Sequence, residues 1–599
     1  MVTDEGDHTM TTASATSAPD MAAWPPLDPH RAHVGRALLD WTATTDDSLP
    51  RLCLLRGGRA SGKSHLLAWF LAGSASHPRT AAHAAVPSDG LTADALAWEM
   101  GRQLGYGPVP PHRLLNRVAA DQRPLLLLVP DFHLAGRGHP DQPSAASQKI
   151  VDELLSSLVQ FPHVRAVVEA GSTDLLSTLD HHVIDLGEAP FPGAARPNTA
   201  APDFASLFAA IPRTVDGRPD WSQAPHTVRK HILDTALHAD DDGAAVRALL
   251  ADPGFLIHGS ATAITTALHS TATPAPSGLR VIWERAAPQL SSVDHSDTER
   301  GALLHAASLG TSPTLSEYLR PLADQHCWTA TWAQHGVPAA THSQLPGNEG
   351  QLLVSDPLGR LHTHDPATGH RTGILPSPPA IRPSGIAGSG TDALLILDET
   401  GPLHPLTSDE EGMAATVLGH IASHHSHALL TSDTHRPTAL GSCPQSSLAA
   451  IGDASGTVHL WSLAEYRPTP QTWRLHTVPV TAVTCLRLPD EDLTFAISAA
   501  FDGSIRLWET SQRPMESPVD QRPALVTALA AASTPAGPLL AAAWNDSEIH
   551  LWHILSGKVQ ILPLLYRCSA LALTPTGQLT VSGPDGFHAI RLDLDRLWA

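Results

Sequence analysis

The chain has 599 residues and a mass of 63.3 kDa, with 42% hydrophobic and 16% charged residues. This length exceeds what one hydrophobic core can organise, and it predicts a protein of several domains. The 38 basic and 59 acidic residues give a formal net charge of −21. That balance argues against binding to nucleic acid or to an anionic membrane surface, because both need a basic face.

The five cysteines lie far apart and form no Cys-x-x-Cys pair, which argues against a disulfide framework and against a zinc knuckle. Residues 1–20 are polar and acidic, unlike a signal peptide, and no apolar run approaches the roughly 18 residues of a membrane span. We therefore expect a cytoplasmic protein without a membrane partner. Residues 1–30 show no hydrophobic periodicity, and we predict that they are a disordered N-terminus.

Residues 31–190 alternate between apolar strand-like runs and helical stretches, which predicts an α/β domain with a parallel sheet covered on both faces. The strand-like runs lie at 51–57, 80–88, 124–131 and 163–171. A stretch rich in Pro, Gly and Ala follows at 189–203. Helical periodicity then predicts an all-α arm over 191–326.

Residues 327–599 predict an all-β propeller of six or seven blades. Their repeated unit is an Asp-x-Gly turn or a variant of it, followed by an alternating strand, at spacings of roughly 40–55 residues. The six units lie at 355–365, 398–406, 453–463, 501–509, 544–554 and 583–594. The stretch from Cys327 to Trp332 is a candidate for an extra strand that closes the ring.

A phosphate-binding loop stands between a predicted strand and a predicted helix, where Gly57 to Ser64 fit the pattern GxxxxGK[ST]. The glycines let backbone amides converge on phosphate oxygens, Lys63 reaches the β- and γ-phosphates, and the Ser64 hydroxyl ligates Mg²⁺. We therefore expect ATP and Mg²⁺ as ligands, with GTP left open. The predicted nucleotide-binding residues are Gly57, Gly58, Arg59, Ala60, Ser61, Gly62, Lys63, Ser64 and His65.

The loop and the segment 124–136 together resemble STAND-class ATPases, which are signalling relatives of the AAA+ enzymes. In bacteria such ATPases occur fused to WD-repeat propellers, which 327–599 resembles, although Trp-Asp itself is absent. The resemblance implies that Gly35 and Arg36 lie near the adenine, although Ala37 replaces the expected Glu; a plain helix start is the alternative. Asp252–Leu256 resembles a short motif of the helical arm, where packing is its expected role.

The resemblance also assigns the acidic positions that follow the strand at 124–129. Pro130 occupies the first of them, and Asp131 is the carboxylate left to hold Mg²⁺ through water; a helix cap is the alternative. No Glu follows Asp131, so we expect slow hydrolysis. On the strand 164–172, Glu169 and Ser172 are candidates to contact the γ-phosphate or its water, against a core strand with Ser172 as a cap.

The 36 histidines raise the question of a metal site. The densest groups are His420, His424, His425 and His427, followed by His362 and His364. None has a Cys or carboxylate partner at ligand spacing, so we interpret them as solvated loop and strand residues. Residues 327–599 carry 14 basic and 24 acidic residues, a net of 14 − 24 = −10, which argues against a DNA-binding propeller.

These patterns predict a nucleotide-switched signalling scaffold whose propeller binds a protein partner. One alternative is an active ATPase motor or remodeler that works as an oligomer. The other is a propeller scaffold that binds no nucleotide. A nucleotide-dependent homo-oligomer fits both the switched scaffold and the motor.

Overall fold

A computed structural model gives the fold of the protein. In its N-terminal region, runs of Leu and Val form the strands of an α/β fold. Contacts divide the chain into an N-terminal unit, Met1–Leu104 with Pro111–Thr199, and a C-terminal unit, Gly105–Pro110 with Ala200–Ala599. The structure describes residues 24–44, 46, 48–58, 60–75, 77, 80–136, 145–170, 176–187, 203–238, 242–270, 272–292, 295–344, 351–376, 381–390, 393–409, 411–443, 447–488 and 493–598.

The described part of the N-terminal unit forms a parallel sheet of five strands in the order β2-β3-β4-β1-β5. The strands are β1 (Leu52–Arg56), β2 (Ala84–Ala85), β3 (Leu125–Val129), β4 (Val164–Glu169) and β5 (His182–Asp185). β3 is buried along its whole length, as expected for a strand covered on both faces. The parallel α/β sheet predicted from the sequence is confirmed.

Six α-helices of the described residues accompany this sheet, and the last two are joined by a π-helical turn at Val151–Leu155. They are α1 (Ala32–Ala43), α2 (Lys63–Ser74), α3 (Ala93–Gln103), α4 (Pro111–Ala120), α5 (Ala145–Ile150) and α6 (Ser156–Leu158). Of the predicted disordered segment, residues 1–23 lie outside the described residues. Trp24 is buried, and its ring lies 5.1 Å from that of Trp69.

The C-terminal unit begins with helices that pack through short apolar faces. They are α7 (Phe204–Ala209), α8 (His226–Leu237), α9 (Ala244–Ala251), α10 (Pro253–His258), α11 (Ala261–His269), α12 (Leu279–Leu290), α13 (Asp297–Ser308) and α14 (Pro313–Ala323). Asp252 caps α10 by accepting the Gly254 amide at 2.9 Å, and it also accepts the Trp221 indole N–H at 2.8 Å. Asp252–Leu256 is thus a packing motif, as expected.

The described residues beyond 327 form six β-sheets arranged as propeller blades. Blade 1 contains β7 (Thr341–Gln344), β8 (Leu352–Ser355), β9 (Leu361–His364) and β10 (Arg371–Leu375); blade 2 contains β11 (Pro383–Gly390), β12 (Ala393–Asp398) and β13 (Leu403–Thr407); blade 3 contains β14 (Pro437–Cys443), β15 (Leu448–Asp453), β16 (Thr457–Ser462) and β17 (Gln471–Arg474). Blade 4 contains β18 (Val480–Leu488), β19 (Leu493–Ala500), β20 (Ser504–Glu509) and β21 (Asp520–Gln521); blade 5 contains β22 (Val526–Thr534), β23 (Gly537–Trp544), β24 (Glu548–His553) and β25 (Val559–Pro563); blade 6 contains β26 (Ala570–Leu573), β27 (Gln578–Gly583), β28 (Gly586–Leu592) and β6 (Trp328–His335). The sequence did not distinguish a propeller of six blades from one of seven, and the structure has six.

Each repeated unit of the sequence is the turn between the second and third strands of one blade. In blade 3, Asp453 accepts the backbone amides of Ser455 and Thr457, both at 2.9 Å, and so fixes the turn. Gly503 in blade 4 has a φ of 73°, and a Cβ there would lie 2.0 Å from the Arg522 carbonyl oxygen. The Asp and Gly of the repeat are therefore required by turn geometry.

Strand β6 closes the ring from the N-terminal side of the propeller. It pairs antiparallel with β28, from Trp328 opposite Leu592 to His335 opposite Gly586. The closing strand predicted at Cys327–Trp332 is confirmed. Closure also gives the last blade a partner for what would otherwise be an exposed sheet edge.

A helix, α15 (Met413–Thr431), follows β13 where other blades have a fourth strand. We predicted an all-β propeller over 327–599, and α15 shows that this prediction is wrong for blade 2. The buried positions of α15 recur at helical spacing and pack in one core cluster with Trp461 of blade 3; they are Val417, Leu418, Ile421, Ala422 and His425. Because a histidine occupies one of them, the apolar stripe is difficult to recognise.

The expectation that the histidines are solvated is wrong for several of them. His362, His364 and His425 are buried, and Nε2 of His425 accepts a hydrogen bond from the Trp461 indole at 3.1 Å. Histidine serves there as a core residue with a satisfied ring nitrogen.

The helices of the C-terminal unit pack directly on its propeller. Gln289 of α12 donates from Nε2 to the carbonyl oxygens of Ser547 and Leu564, at 3.1 and 2.9 Å. Asp324, just after α14, forms an ion pair with Arg591 at 3.0 Å. These helices and the propeller therefore form one unit.

Candidate functional site

The predicted phosphate loop connects the carboxyl end of β1 to the first turn of α2. Its backbone takes left-handed or related conformations at Gly57 (φ 157°), Ala60 (φ 60°) and Gly62 (φ 92°). A Cβ at Gly57 would lie 2.6 Å from Oγ of Ser61, which leaves no space for a larger residue. Arg59 lies outside the described residues. This tight turn is what a backbone cradle for phosphate requires.

Lys63 begins α2 and is 6% exposed. Its Nζ donates to the carbonyl oxygens of Gly57 and Gly58, at 2.7 and 3.0 Å. The ammonium group thus lies inside the loop, at the amino terminus of a helix of twelve residues. A positive charge and a helix amino terminus at one place form an environment that favours an anion.

Ser64 and Glu169 meet across the sheet. The Ser64 hydroxyl donates to Oε1 of Glu169 at 3.0 Å, although 105 residues separate them in the chain. Glu169 ends β4, in register with Leu55 of β1. The sequence named Glu169 as a candidate together with Ser172, which lies outside the described residues.

The surroundings of Glu169 raise the pKa of its carboxyl group above the ordinary value. Burial is the main cause, and the negative charge of Asp131 adds to it. The hydrogen bond from Ser64, the charge of Lys63 and the Asp131 backbone act in the opposite direction. Glu169, Asp131, Ser64 and Lys63 therefore share one electrostatic environment.

Asp131 follows β3 with a left-handed backbone, at a φ of 54°. The sequence left open that Asp131 caps a helix. A 3₁₀ turn, Phe132–Leu134, does follow, but among the described residues the Asp131 side chain makes no capping hydrogen bond to it. Burial is also the main cause that lowers the pKa of His133, and the charge of Lys63 acts in the same direction. His133 therefore belongs to the same environment.

The remaining predicted residues take different positions. Gly35 lies inside α1, where a Cβ would lie 2.7 Å from Leu27 and 3.1 Å from Trp69, so close helix packing requires a glycine there. Arg36 and His65 are exposed. Sequence reasoning missed Arg31, a buried residue whose guanidinium donates to the Ser61 carbonyl and so supports the loop from behind.

The side chains beside the loop supply oxygen donors that fit a magnesium nucleotide. No group of three or more His, Cys, Asp or Glu side chains in the described ranges is arranged to hold a metal. One hydroxyl, Ser64, and two carboxylates, Asp131 and Glu169, lie beside the loop. Oxygen ligands of this kind are those that Mg²⁺ prefers, with phosphate oxygens and waters completing its shell.

Comparison with known proteins identifies part of the propeller. The family model "WD domain, G-beta repeat" matches residues 469–509. This stretch contains the outer strand of blade 3, β17, and the first three strands of blade 4. The C-terminal region is a WD-repeat β-propeller.

Solved structures at low identity also match the chain. The propeller domain of Cps50 (Swd1) from Myceliophteria thermophila has 12% identity and a TM-score of 0.33, over 44% of this chain and 99% of that one. U3-55K has 14% identity and a TM-score of 0.29, over 44% and 98%. The computationally designed protein Ika8 has 15% identity and a TM-score of 0.26, over 41% and 68%. No curated protein matches the chain.

Of the helices in the described ranges, none is both long enough and apolar enough to cross a lipid bilayer.

Proposed function

We propose that this protein is a nucleotide-switched scaffold, in which the N-terminal unit binds ATP with Mg²⁺ and the WD-repeat propeller binds a protein partner. The observation that carries the proposal is the meeting of Ser64 with Glu169 at 3.0 Å beside the buried Lys63. A structural turn has no need for a buried cation, an exposed hydroxyl and a carboxylate at one loop. A nucleoside triphosphate with its metal ion uses all three.

Binding would exchange contacts that the free loop makes with itself. Lys63 would leave the carbonyl oxygens of Gly57 and Gly58 for the β- and γ-phosphates, and the loop amides would turn toward phosphate oxygens. Ser64 would ligate Mg²⁺ through an oxygen lone pair while its O–H still donates to Glu169, with Asp131 held nearby. Such an exchange changes the loop between two defined arrangements, which is what a switch needs.

Hydrolysis should be slow in this arrangement. Pro130 carries no carboxylate, and no Glu follows Asp131 to orient a water molecule. We expect a turnover below about 1 per second, the lower end of the range for protein kinases. The second candidate function is an oligomeric ATPase motor, in which the buried Glu169 carboxylate would orient the attacking water in place of the missing Glu. A turnover well above about 1 per second would support the motor.

The propeller offers a surface suited to a protein partner. Tyr466, Met515 and Leu555 are 64%, 55% and 58% exposed. Each lies between the third and fourth strands of its blade, in blades 3, 4 and 5. Equivalent connections of neighbouring blades lie on one face, so these apolar side chains share it. We infer that this face of the propeller is the one that contacts the partner.

Isothermal titration of the full chain with ATP, ADP and GTP in Mg²⁺ tests the nucleotide part. Wild type should bind, and Lys63→Ala should weaken binding by about 30-fold or more, the equivalent of one lost charge-assisted contact of roughly 2 kcal/mol. Lys149→Ala removes an exposed lysine of α5 and should bind like wild type. Equal binding by Lys63→Ala and wild type would contradict the loop assignment. Absence of binding by wild type would favour the nucleotide-free scaffold.

Size-exclusion chromatography with ATP and with ADP tests the oligomer. A scaffold that assembles on nucleotide binding elutes earlier with ATP, and Lys63→Ala keeps its elution volume in both. Unchanged elution of wild type would restrict the switch to a single chain.

A further inference from the structure

Strand register places Glu169 at the centre of the candidate site. β4 pairs on one side with β1, where Leu55 is opposite Glu169, and on the other with β3, where Val129 is opposite Val168. Pro130 and Glu169 each follow this last pair by one residue. Glu169 stands between the strand that leads into the phosphate loop and the strand that leads to Asp131.

The contacts of Glu169 are incomplete. It is 2% exposed, and Oε1 accepts the Ser64 hydroxyl. Oε2 is buried and makes no hydrogen bond of full geometry among the described residues, although the Asp131 backbone N–H lies close enough to lower the pKa of this carboxyl group. A buried carboxylate oxygen without a partner costs free energy, so such an atom calls for a ligand.

The rest of the strand shows that packing does not explain this residue. β4 is apolar and buried at Ala166, Val167 and Val168, immediately before Glu169. A further aliphatic side chain would fill the same place without the cost of burying a carboxylate. A carboxylate is useful there when it has a cation or an ordered water to bind.

We propose that Glu169 supplies a second carboxylate, besides Asp131, to the magnesium site of the bound nucleotide. This inference rests on the proposed function. Ser64 then joins Glu169 to the ion, because its O–H donates to Oε1 while its oxygen lone pairs remain available to Mg²⁺. Glu169 holds Mg²⁺ directly or through a coordinated water.

The test measures how much Mg²⁺ tightens ATP binding, in titrations of the full chain with Mg²⁺ and with EDTA. In wild type Mg²⁺ should tighten binding. In Glu169→Gln this gain should fall at least 10-fold, whereas binding in EDTA should be equal or tighter, because a negative charge near the phosphates is gone. Glu153→Gln, an exposed residue of the same unit, should keep the wild-type gain.

A rescue variant makes the test specific. Pro130→Asp in the Glu169→Gln background returns a carboxylate to the neighbouring position and should restore part of the gain. If Glu169→Gln does not fold, Glu169→Asp serves instead, and its shorter carboxylate should reduce the gain.

The outcomes separate this inference from the proposed function. ATP binding with a full Mg²⁺ gain in Glu169→Gln overturns the role of Glu169 and leaves the nucleotide site intact. If wild type binds ATP equally well with and without Mg²⁺, the role of Glu169 is likewise overturned and the nucleotide site is kept. Wild type that binds no ATP in either condition overturns the proposed function.

Discussion

The bond between Trp461 and His425 shows what a single buried histidine does in the propeller. Burial, the main cause, lowers the pKa of His425 to about 3; the charges of His459 and His424 act in the same direction, and that of Asp453 opposes them. The ring is therefore neutral in the folded protein at neutral pH, and Nε2 is free to accept the indole N–H. In the unfolded chain the pKa returns to its ordinary value of about 6.5.

This difference predicts that acid destabilises the propeller. As the pH falls below about 6.5, the unfolded chain gains a proton that folded His425 does not take up until about pH 3, so the free energy of unfolding decreases. One such histidine contributes at most about 1.4 kcal/mol per pH unit. His425→Gln should reduce this slope by about one proton in denaturant titrations from pH 7 to pH 5. His427→Gln, at an exposed site of the same helix, should keep the slope; a slope unchanged in His425→Gln would contradict the argument.

Single residues also show where sequence reasoning ends. The turn from Gly57 to Ser64, between a strand and a helix, could be predicted, because its glycines, lysine and serine lie together in the chain. The partner of Ser64 could only be narrowed to candidates, because the register of β4 against β1 brings Glu169 to it across 105 residues. Arg31 gave no signal, since a lone arginine before a helix is usually solvated.

Among the elements, α15 could not be predicted from the repeat pattern of the propeller. The spacing of the propeller strands can be predicted from the sequence, because Asp and Gly fix each turn. Blade 2 departs from this pattern after β13. The helix is held by apolar contacts with β12 and β13 of its own blade and with Trp461 of blade 3, and not by a strand ladder. Ile421 is fully buried in that contact, and Leu430, near the end of the helix, is 86% exposed.

These two residues give a matched test of whether α15 belongs to the core. Ile421→Ala should lower the free energy of unfolding by about 2–5 kcal/mol, the usual cost of truncating a buried aliphatic side chain to alanine. Leu430→Ala should change it by less than about 0.5 kcal/mol, as surface substitutions do. Chemical denaturation followed by tryptophan fluorescence measures both. Equal, small effects of the two substitutions would mean that the helix does not belong to the core shared by blades 2 and 3.

At the scale of the whole molecule, the ring depends on β6, which reaches blade 6 from the opposite end of the propeller sequence. A chain beginning at residue 320 keeps this strand, and one beginning at 340 loses it. The shorter chain should aggregate and melt at a lower temperature, because β28 is then left as an unpaired edge. Light scattering and melting curves compare the two. The same solubility and melting temperature in both would contradict closure by β6.

For the whole protein, the proposal to test most directly is that the loop from Gly57 to Ser64 binds ATP with Mg²⁺. Hydrogen–deuterium exchange of the full chain, with and without Mg²⁺ and ATP, locates the ligand directly. Peptides that cover 57–66, 130–132 and 167–170 should exchange more slowly with nucleotide, and those of Lys63→Ala should not. Unchanged exchange of all three segments in wild type at saturating ATP would contradict the account.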